Sequence, residues 1–266
     1  MALLAGCAVD AAPPQAVPDP SSAPAVAVTP TGPVDFPLVA DAPRPIVLIG
    51  SPRKPIENAP GEKEKMLAVG ANSGRYAFTG VEPPTPGPTS VPLPDGPATL
   101  PLVGVREVVA AMSAGGREGA PLELVSAEPG TAEYLTDRGP LELPVWRFRT
   151  VFGSTWAWPA VAPEVFWRLG EVDYARQVTT SDGVELEVPF YASPACPGEE
   201  PVVMEPVVTE GMTSVVVGLR RVGGGLGNCV RALLQPTETY TVKLEEPLGT
   251  RVLVDEEERV FDVTIR

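Results

Sequence analysis

The sequence contains no histidine, and this absence removes whole classes of chemistry. Histidine is the most common general base in enzymes and the most common side-chain ligand of protein-bound metal ions. Ser-His-Asp and Cys-His catalytic arrangements and histidine-containing zinc sites are therefore excluded across all 266 residues. The sequence assigns no catalytic residue, no metal ligand and no cofactor, and it favours a protein that is not an enzyme.

Basic residues are scarce as well. The chain has 20 Lys and Arg against 34 Asp and Glu, which gives a formal net charge of −14. Such a charge repels a phosphate backbone and anionic lipid headgroups, so nucleic acid is excluded as a partner and a polybasic membrane patch is not expected. No run of about 18 apolar residues is present to form a transmembrane helix. Attachment to a membrane would therefore need a covalent lipid.

The N-terminal residues Leu4-Ala5-Gly6-Cys7 resemble a lipobox, the processing signal of bacterial lipoproteins, in which the cysteine is acylated and becomes the mature N-terminus. The apolar residues before it are fewer than a signal-peptide core needs, so we expect residues 1–7 to be the remainder of a signal peptide. This predicts a lipid anchor at Cys7 and a location on the extracytoplasmic face of the membrane. The alternative is an incidental cysteine in the tail of a cytosolic protein.

Residues 8–44 are rich in proline and alanine, with no Lys or Arg before Arg44 and no aromatic residue before Phe36. A segment of this composition buries too little apolar surface to offset the entropy lost on ordering. It predicts a disordered tether that holds the following domains away from the membrane.

Two further cysteines, Cys196 and Cys229, lie in the region that we expect to be exported. Oxidising compartments favour disulfides, so we expect the two to be bonded. Neither belongs to a CxxC pair, which argues against a zinc site. Two buried free thiols are the alternative if the chain is cytosolic.

Residues 45–159 predict a small α+β domain. Apolar residues at helical spacing predict a helix over residues 102–112, which ends before Gly115 and Gly116. Residues 52–65 predict a charged loop, and residues 82–101 a long surface loop or strap. The predicted strands are 45–50, 66–69, 122–127, 132–136 and 141–150, with turns at 128–130 and 137–140.

Residues 160–266 predict an antiparallel β-sandwich-like domain, so the chain as a whole is expected to be mainly β. Asp182 and Gly183 form a strong hairpin signal. The acidic run that starts at Asp255 predicts a solvated turn in preference to a Ca²⁺ site. The predicted strands are 176–180, 184–191, 202–209, 213–222, 228–234, 239–245 and 251–255.

Three segments also carry a resemblance. Residues 136–140, residues 143–148 and residues 242–255 look like recurrent segments of secreted actinobacterial lipoproteins of uncharacterised function. The resemblance covers roughly the second half of the chain. It implies export, a disulfide and β architecture, and it implies no catalytic residue.

Aromatic residues cluster around the boundary between the two predicted domains. Trp156, Trp158 and Trp167 lie there beside acidic residues such as Glu164 and Glu171. Two interpretations are open: the rings form an interdomain core, or they stack on the sugar rings of an envelope glycan.

These observations lead to three hypotheses. The first is a lipid-anchored extracytoplasmic protein whose non-enzymatic ectodomain binds a component of the envelope or scaffolds another exported protein. The second is a cell-envelope glycan-binding module or a carboxylate-dependent glycosidase that uses the three tryptophans. The third is a structural envelope protein without a small ligand.

Overall fold

The structure is a computed structural model that describes residues 34–39, 42–192, 195–196, 198–224 and 236–266. This part of the chain is mainly β, with fourteen strands and two helices, as the composition and patterning predict. We call the part that surrounds a five-stranded sheet the first unit, and the part from residue 176 onward the second unit. Among the described residues, no helix is both long enough and apolar enough to span a membrane.

The five-stranded sheet of the first unit is covered on both faces. Along strand β6 (Gly139–Thr150), Leu143 and Val145 point to one core and Trp146 and Phe148 to the other, because successive strand residues face opposite sides. Strand β2 (Tyr76–Phe78) runs parallel to β5 (Leu122–Thr136), and the other neighbouring pairs are antiparallel. The strand order across the sheet is β1 (Lys54–Glu57), β7 (Thr155–Pro159), β6 (Gly139–Thr150), β5 (Leu122–Thr136) and β2 (Tyr76–Phe78).

Helix α2 (Val105–Ser113) covers one of these faces, and it confirms the helix predicted over residues 102–112. Its buried side chains pack against Trp146 and Phe148. At its start, the Glu107 carboxylate accepts a hydrogen bond from the backbone N–H of Gly104, at 3.0 Å. The chain leaves the helix through Gly115, whose φ of 79° suits a residue without a Cβ.

The other face is covered by a hairpin that the sequence did not predict. Residues 82–101, expected to form a loop or strap, contain strands β3 (Thr89–Leu93) and β4 (Gly96–Leu100). Val91, Ala98 and Leu100 from this hairpin are buried against the sheet. Proline occupies five positions in and directly beside these strands, which hid the alternation of buried and exposed residues.

The turn predicted at residues 128–130 is wrong, because β5 runs through it without a break. Pro129 and Gly130 pair with Trp146 and Val145 on β6. A Cβ on Gly130 would come within 2.6 Å of Nε of Arg147, so the missing side chain leaves room for the Arg147 side chain to cross the strand. Glycine here marks a close approach in the sheet.

The strand predicted at residues 66–69 is also wrong. Helix α1 (Glu62–Ala68) occupies most of that range and part of the predicted charged loop. Its first turn is fixed to the sheet, since the Glu62 carboxylate accepts hydrogen bonds from the hydroxyls of Thr150, at 2.7 Å, and Ser154. The apolar Leu67 and Val69, which suggested a buried strand, are exposed.

The second unit stacks two sheets around one core. One has the order β10 (Val203–Glu210), β11 (Ser214–Gly223), β13 (Val252–Asp255); the other has the order β12 (Thr237–Lys243), β9 (Glu185–Tyr191), β8 (Arg176–Thr180), β14 (Phe261–Ile265). The hairpin at Asp182 and Gly183 is confirmed. Strand β14 was missed, and the pairs β11–β13 and β14–β8 are parallel, so the sandwich is mixed. The strand predicted at residues 228–234 lies outside the described residues.

Residues at the end of the predicted tether belong to the folded core, which corrects that prediction. Val34 and Phe36 are buried in a cluster with Val47 and Trp167 and with valines of the second unit. The Phe36 and Trp167 rings meet edge to face with centroids 5.2 Å apart. The backbone carbonyl of Val34 accepts a hydrogen bond from the Ser214 hydroxyl, at 3.0 Å. The polar, proline-rich composition of the surrounding segment concealed these two contacts.

A group of four charged side chains, which we call the joint, connects the units: Arg44, Asp137, Arg138 and Asp262. Asp137 and Arg138 form the turn between β5 and β6, where a turn was predicted. The Arg44 guanidinium makes a two-pronged ion pair with the Asp137 carboxylate, and its Nε donates to the carbonyl of Thr250 at 2.7 Å.

The turn also forms hydrogen bonds with backbone groups of the second unit. The Asp137 carbonyl accepts from the N–H of Val263 at 2.9 Å, and the Arg138 guanidinium donates to the carbonyl of Gly249 at 3.1 Å. The side chains of Arg44 and Asp137 are 5% and 2% exposed. Arg138 is a second, more distant partner of the same carboxylate, with its Nε 3.7 Å from Oδ2 of Asp137. The buried carboxylate is therefore compensated mainly by Arg44 and in part by Arg138.

Replacing Arg44 with alanine is expected to lower the free energy of unfolding by up to about 3–5 kcal/mol, because the buried Asp137 would lose its two-pronged partner and keep only the more distant Arg138. Chemical denaturation monitored by circular dichroism measures this. The matched control is Arg106→Ala, which removes an arginine from an exposed ion pair with Glu82 and should cost at most about 1 kcal/mol. Equal effects of the two substitutions would contradict the assigned role of Arg44.

Candidate ligand-binding cleft

The three tryptophans proposed as ligand-binding residues lie in different environments. Trp156 is buried and meets Tyr76 edge to face, with ring centroids 5.9 Å apart. Trp167 is buried between the units against Phe36. Trp158 is only partly buried, and its ring lines an open cleft. The structure thus brings one of the three to a concave surface and places the other two in packed clusters.

The cleft has a volume of about 690 Å³ and lies at one end of the first unit. Its walls come from the segment before β1, the loop before β2, the end of α2 and the loop after β7. The lining residues are Ser51, Pro52, Arg53, Asn72, Ser73, Gly74, Tyr76, Ala111, Met112, Ala114, Gly115, Gly116, Arg117, Trp158, Pro163, Leu169 and Gly170. The volume is in the range of a small-molecule site.

Arg53 is held in place on one wall. Its guanidinium carbon lies 4.6 Å above the ring centre of Trp156, and Nη1 donates to the Tyr76 hydroxyl at 2.9 Å. A guanidinium group that stacks on an indole ring and donates to a phenol hydroxyl is restricted to one orientation. Its other N–H groups remain available to donate hydrogen bonds to a ligand. Trp156 therefore contributes to the cleft indirectly, by positioning Arg53.

Another part of the lining comes from two loops that hydrogen bonds hold together. The backbone N–H of Arg117 donates to the carbonyl of Ser73 at 2.8 Å, which ties the end of α2 to the loop before β2. The Ser113 hydroxyl accepts from the backbone N–H of Tyr76 at 3.0 Å. Gly74 takes a φ of 77°, a conformation that side chains disfavour. These contacts fix the backbone from which the Arg117 side chain projects.

The charge of the lining is opposite to that of the chain. Two arginines line the cleft and no carboxylate does, in a protein whose acidic residues outnumber its basic ones by 34 to 20. Within the described residues, no carboxylate forms an ion pair with Arg53 or Arg117, whereas other arginines such as Arg44, Arg176 and Arg251 are paired. The cleft thus presents uncompensated positive charge beside an aromatic ring.

The acidic residues that the sequence placed near the tryptophans lie elsewhere. Glu164 is exposed on the short helical turn Pro163–Val165, and Glu171 borders a separate depression with Glu257 and Glu258. Neither lines the cleft, so the cleft contains no acid pair for glycoside hydrolysis. Among the described residues, no group of three or more Asp, Glu or Cys side chains is arranged to hold a metal ion.

Asp255, expected in a solvated acidic turn, is instead 3% exposed. Its carboxylate pairs with Arg176 and Arg259, at 2.7 Å each, and accepts hydrogen bonds from the backbone N–H groups of Glu257 and Arg259. The Asp255 carboxylate therefore stabilises a turn of the second unit, and both of its oxygens have partners there.

Of the cysteines singled out from the sequence, Cys196 is buried. Cys7 and Cys229 lie outside the described residues. The lipid anchor and the disulfide therefore stay predictions.

Sequence reasoning missed Arg53, Tyr76 and Arg117. The glycine and serine residues at 72–74 and 115–116 marked two loops, but nothing in the sequence showed that they lie together and line one cleft with Trp158. Their proximity depends on the parallel pairing of β2 with β5, which brings the loop before β2 next to the end of α2.

We compared the chain with protein-family models, curated proteins and solved structures, and no match was found in any of the three.

A second polar feature of the molecule is the Asp262 side chain in the joint. Its Oδ1 is buried without a hydrogen-bond partner among the described residues. Burial, with a smaller contribution from the charge of Asp137, raises the pKa of Asp262 above its ordinary value, and the backbone N–H of Gly139 opposes this in part. The folded protein therefore binds this proton more tightly than the unfolded chain does, and the associated stability is lost as the pH rises through the raised pKa.

Replacing Asp262 with asparagine is expected to raise the free energy of unfolding at pH 7, because it removes a poorly compensated charge. The gain should shrink as the pH falls toward the ordinary pKa of an aspartate, about 3.9. Denaturation curves of both proteins at a series of pH values measure the difference.

The control is Asp182→Asn in the exposed hairpin turn. Hydrogen bonds from the backbone N–H groups of Glu185 and Val184 lower the pKa of Asp182, so its contribution to stability is present above its ordinary pKa and is lost as the pH falls. This substitution should therefore destabilise at pH 7. A gain for Asp262→Asn that stays constant with pH would contradict the titration of Asp262.

Proposed function

We propose that this protein is a lipid-anchored extracytoplasmic binding protein, attached through an acyl group on Cys7 and carrying a non-enzymatic ectodomain. The observation that carries the proposal is the sequence Leu4-Ala5-Gly6-Cys7 followed at once by a proline-rich segment without a basic residue before Arg44. An acylated cysteine followed by an extended segment is the arrangement that holds a folded domain off a membrane surface.

The structure supports a folded body after this segment. The described part of the chain begins with Val34, which is buried, and two positions later Phe36 is fully enclosed. About 26 residues separate Cys7 from Val34, which at about 3 Å per residue would allow a reach of up to about 80 Å in an extended conformation. A domain at that distance can contact partners well beyond the lipid headgroups.

The cleft supports binding as the role of this body. It combines an aromatic residue with two arginines that form no ion pair within the described part of the chain, in a space suited to a small molecule. It has no carboxylate and the chain has no histidine, so an acid–base pair is missing at the place where a ligand would sit. Binding without chemical conversion is the function that this set of groups favours.

A glycan-binding module is the second candidate function, and the exposure of Trp158 favours it. The partly buried Trp158 lines the same cleft as Asn72 and Arg53, whose side chains can form hydrogen bonds, and this combination suits a sugar ring with its hydroxyl groups. A carboxylate-dependent glycosidase would need acidic residues in the cleft, and the lining contains none.

We also propose that Cys196 and Cys229 form a disulfide. Cys196 lies in a buried position after β9, and Cys229 follows β11 in the sequence. Closing a loop of about 34 residues would stabilise the fold by roughly 3–4 kcal/mol in the chain-entropy description.

The anchor is tested by growing cells that produce the protein with a clickable fatty acid. The wild-type chain should take up the label, and Cys7→Ser should lose it while remaining folded and exported. Cys196→Ser is the matched control, since it removes a cysteine outside the lipobox and should keep the label. An unlabelled wild type, or equal labelling of Cys7→Ser, would refute the lipoprotein proposal.

The disulfide is tested by the intact mass of the exported protein after alkylation, with and without prior reduction. Cys196 and Cys229 should react only after reduction, which adds two alkyl groups. Peptide mapping then assigns the modified positions. Alkylation of both residues in the unreduced protein would show that no bond joins them.

A further inference from the structure

The lining of the cleft places three recognition elements together. Arg53 is fixed by its stacking on Trp156 and by its hydrogen bond to Tyr76. Arg117 and the partly buried Trp158 line the same cleft. A guanidinium fork recognises carboxylate and phosphate groups in two-pronged fashion, and an indole face stacks on the apolar face of a sugar.

From this juxtaposition we propose that the cleft binds an acidic saccharide, with its carboxylate or phosphate group on Arg53 and Arg117 and its ring against Trp158. The inference rests on the proposed binding function and adds the class of ligand.

Charge complementarity supports this choice over a neutral sugar. The surrounding protein carries a net charge of −14, so a general negative field would repel an acidic ligand from most of the surface. The cleft is free of carboxylates in its lining and holds two arginines that no acid of the described residues neutralises. A separate depression also holds two arginines, Arg147 and Arg149, but it is lined by Glu57 and Glu128 as well. An acidic ligand therefore meets less repulsion in the cleft, which favours binding there.

The pre-set position of Arg53 favours binding for a second reason. A long, flexible arginine normally loses side-chain entropy when it binds a ligand. Here the Trp156 ring and the Tyr76 hydroxyl already restrict the side chain in the free protein. Part of the ordering cost is therefore met by folding, as in other preorganised sites.

The test is isothermal titration calorimetry on the purified full-length protein. The probes are trigalacturonate and glucose 6-phosphate as acidic saccharides, fully methyl-esterified trigalacturonate as the uncharged form of the first, and inorganic phosphate as an anion without a ring. We expect at least one of the two acidic saccharides to bind, more tightly than the methyl ester and than phosphate. Its affinity should fall with rising salt concentration.

The Arg53→Ala and Arg117→Ala variants should each weaken this binding about tenfold or more, which is the usual effect of losing a hydrogen bond to a charged group. The Arg117 side chain makes no hydrogen bond within the described residues, so its variant is expected to fold as the wild type does. Arg220→Ala, which removes an exposed arginine on β11 of the second unit, is the matched control and should leave binding unchanged.

Several outcomes would overturn the inference. These are no binding of either acidic saccharide by the wild type, equal binding of the charged and esterified forms, binding of inorganic phosphate as tight as that of the saccharides, or full binding by Arg117→Ala. None of them bears on the lipid anchor, because fatty-acid labelling of Cys7 does not depend on the cleft. An unlabelled wild-type chain that still binds the saccharide would instead refute the anchor alone.

Discussion

The buried ion pair between Arg44 and Asp137 is the interaction on which the arrangement of the two units depends. Moving two charges out of water costs free energy that only close pairing and further hydrogen bonds can offset. Here those partners come from separate stretches of the chain, including the carbonyl of Thr250 and the N–H of Val263. Separating the units would leave several buried polar groups unsatisfied at once, which favours a single arrangement over many.

The same constraint explains the route of the chain before β1. To place Arg44 at the turn of the β5–β6 hairpin, the described residues 34–39 and 42–50 lie along the boundary between the units. Val47 contributes to the shared cluster of both units, while its neighbours Ile46 and Leu48 pack in the first unit. One short segment therefore serves two cores by the alternation of its side chains. The joint and this segment together position Ser51 to Arg53 at the edge of the cleft.

Elements with strong local signals could be predicted from the sequence. Helix α2 has regularly spaced apolar residues and a glycine stop, and the Asp182-Gly183 hairpin depends on only two turn residues. Where tertiary contacts determine the secondary structure, the local sequence pattern gave the wrong prediction. Pro129 and Gly130 suggest a turn, yet they lie within β5 because Arg147 fills the space above Gly130.

The candidate site shows the same limit. Trp158 was identified because aromatic residues cluster in the sequence, but the clustering did not distinguish it from the buried Trp156 and Trp167. Arg53 precedes its partner Tyr76 by 23 residues and Trp156 by about a hundred, so no local pattern relates them. A long-range ion pair such as Arg44 with Asp137 is equally invisible, because each residue alone is typical of a solvated surface.

The contacts of Val34 and Phe36 also determine how the protein responds to a mechanical pull on its N-terminal side. Tension along the chain would first load the hydrogen bond from Ser214 to the Val34 carbonyl and the packing of Phe36 against Trp167. Force would therefore enter the folded body at the boundary of the two units. These contacts would bear the load first, and none of the residues that make them lines the cleft.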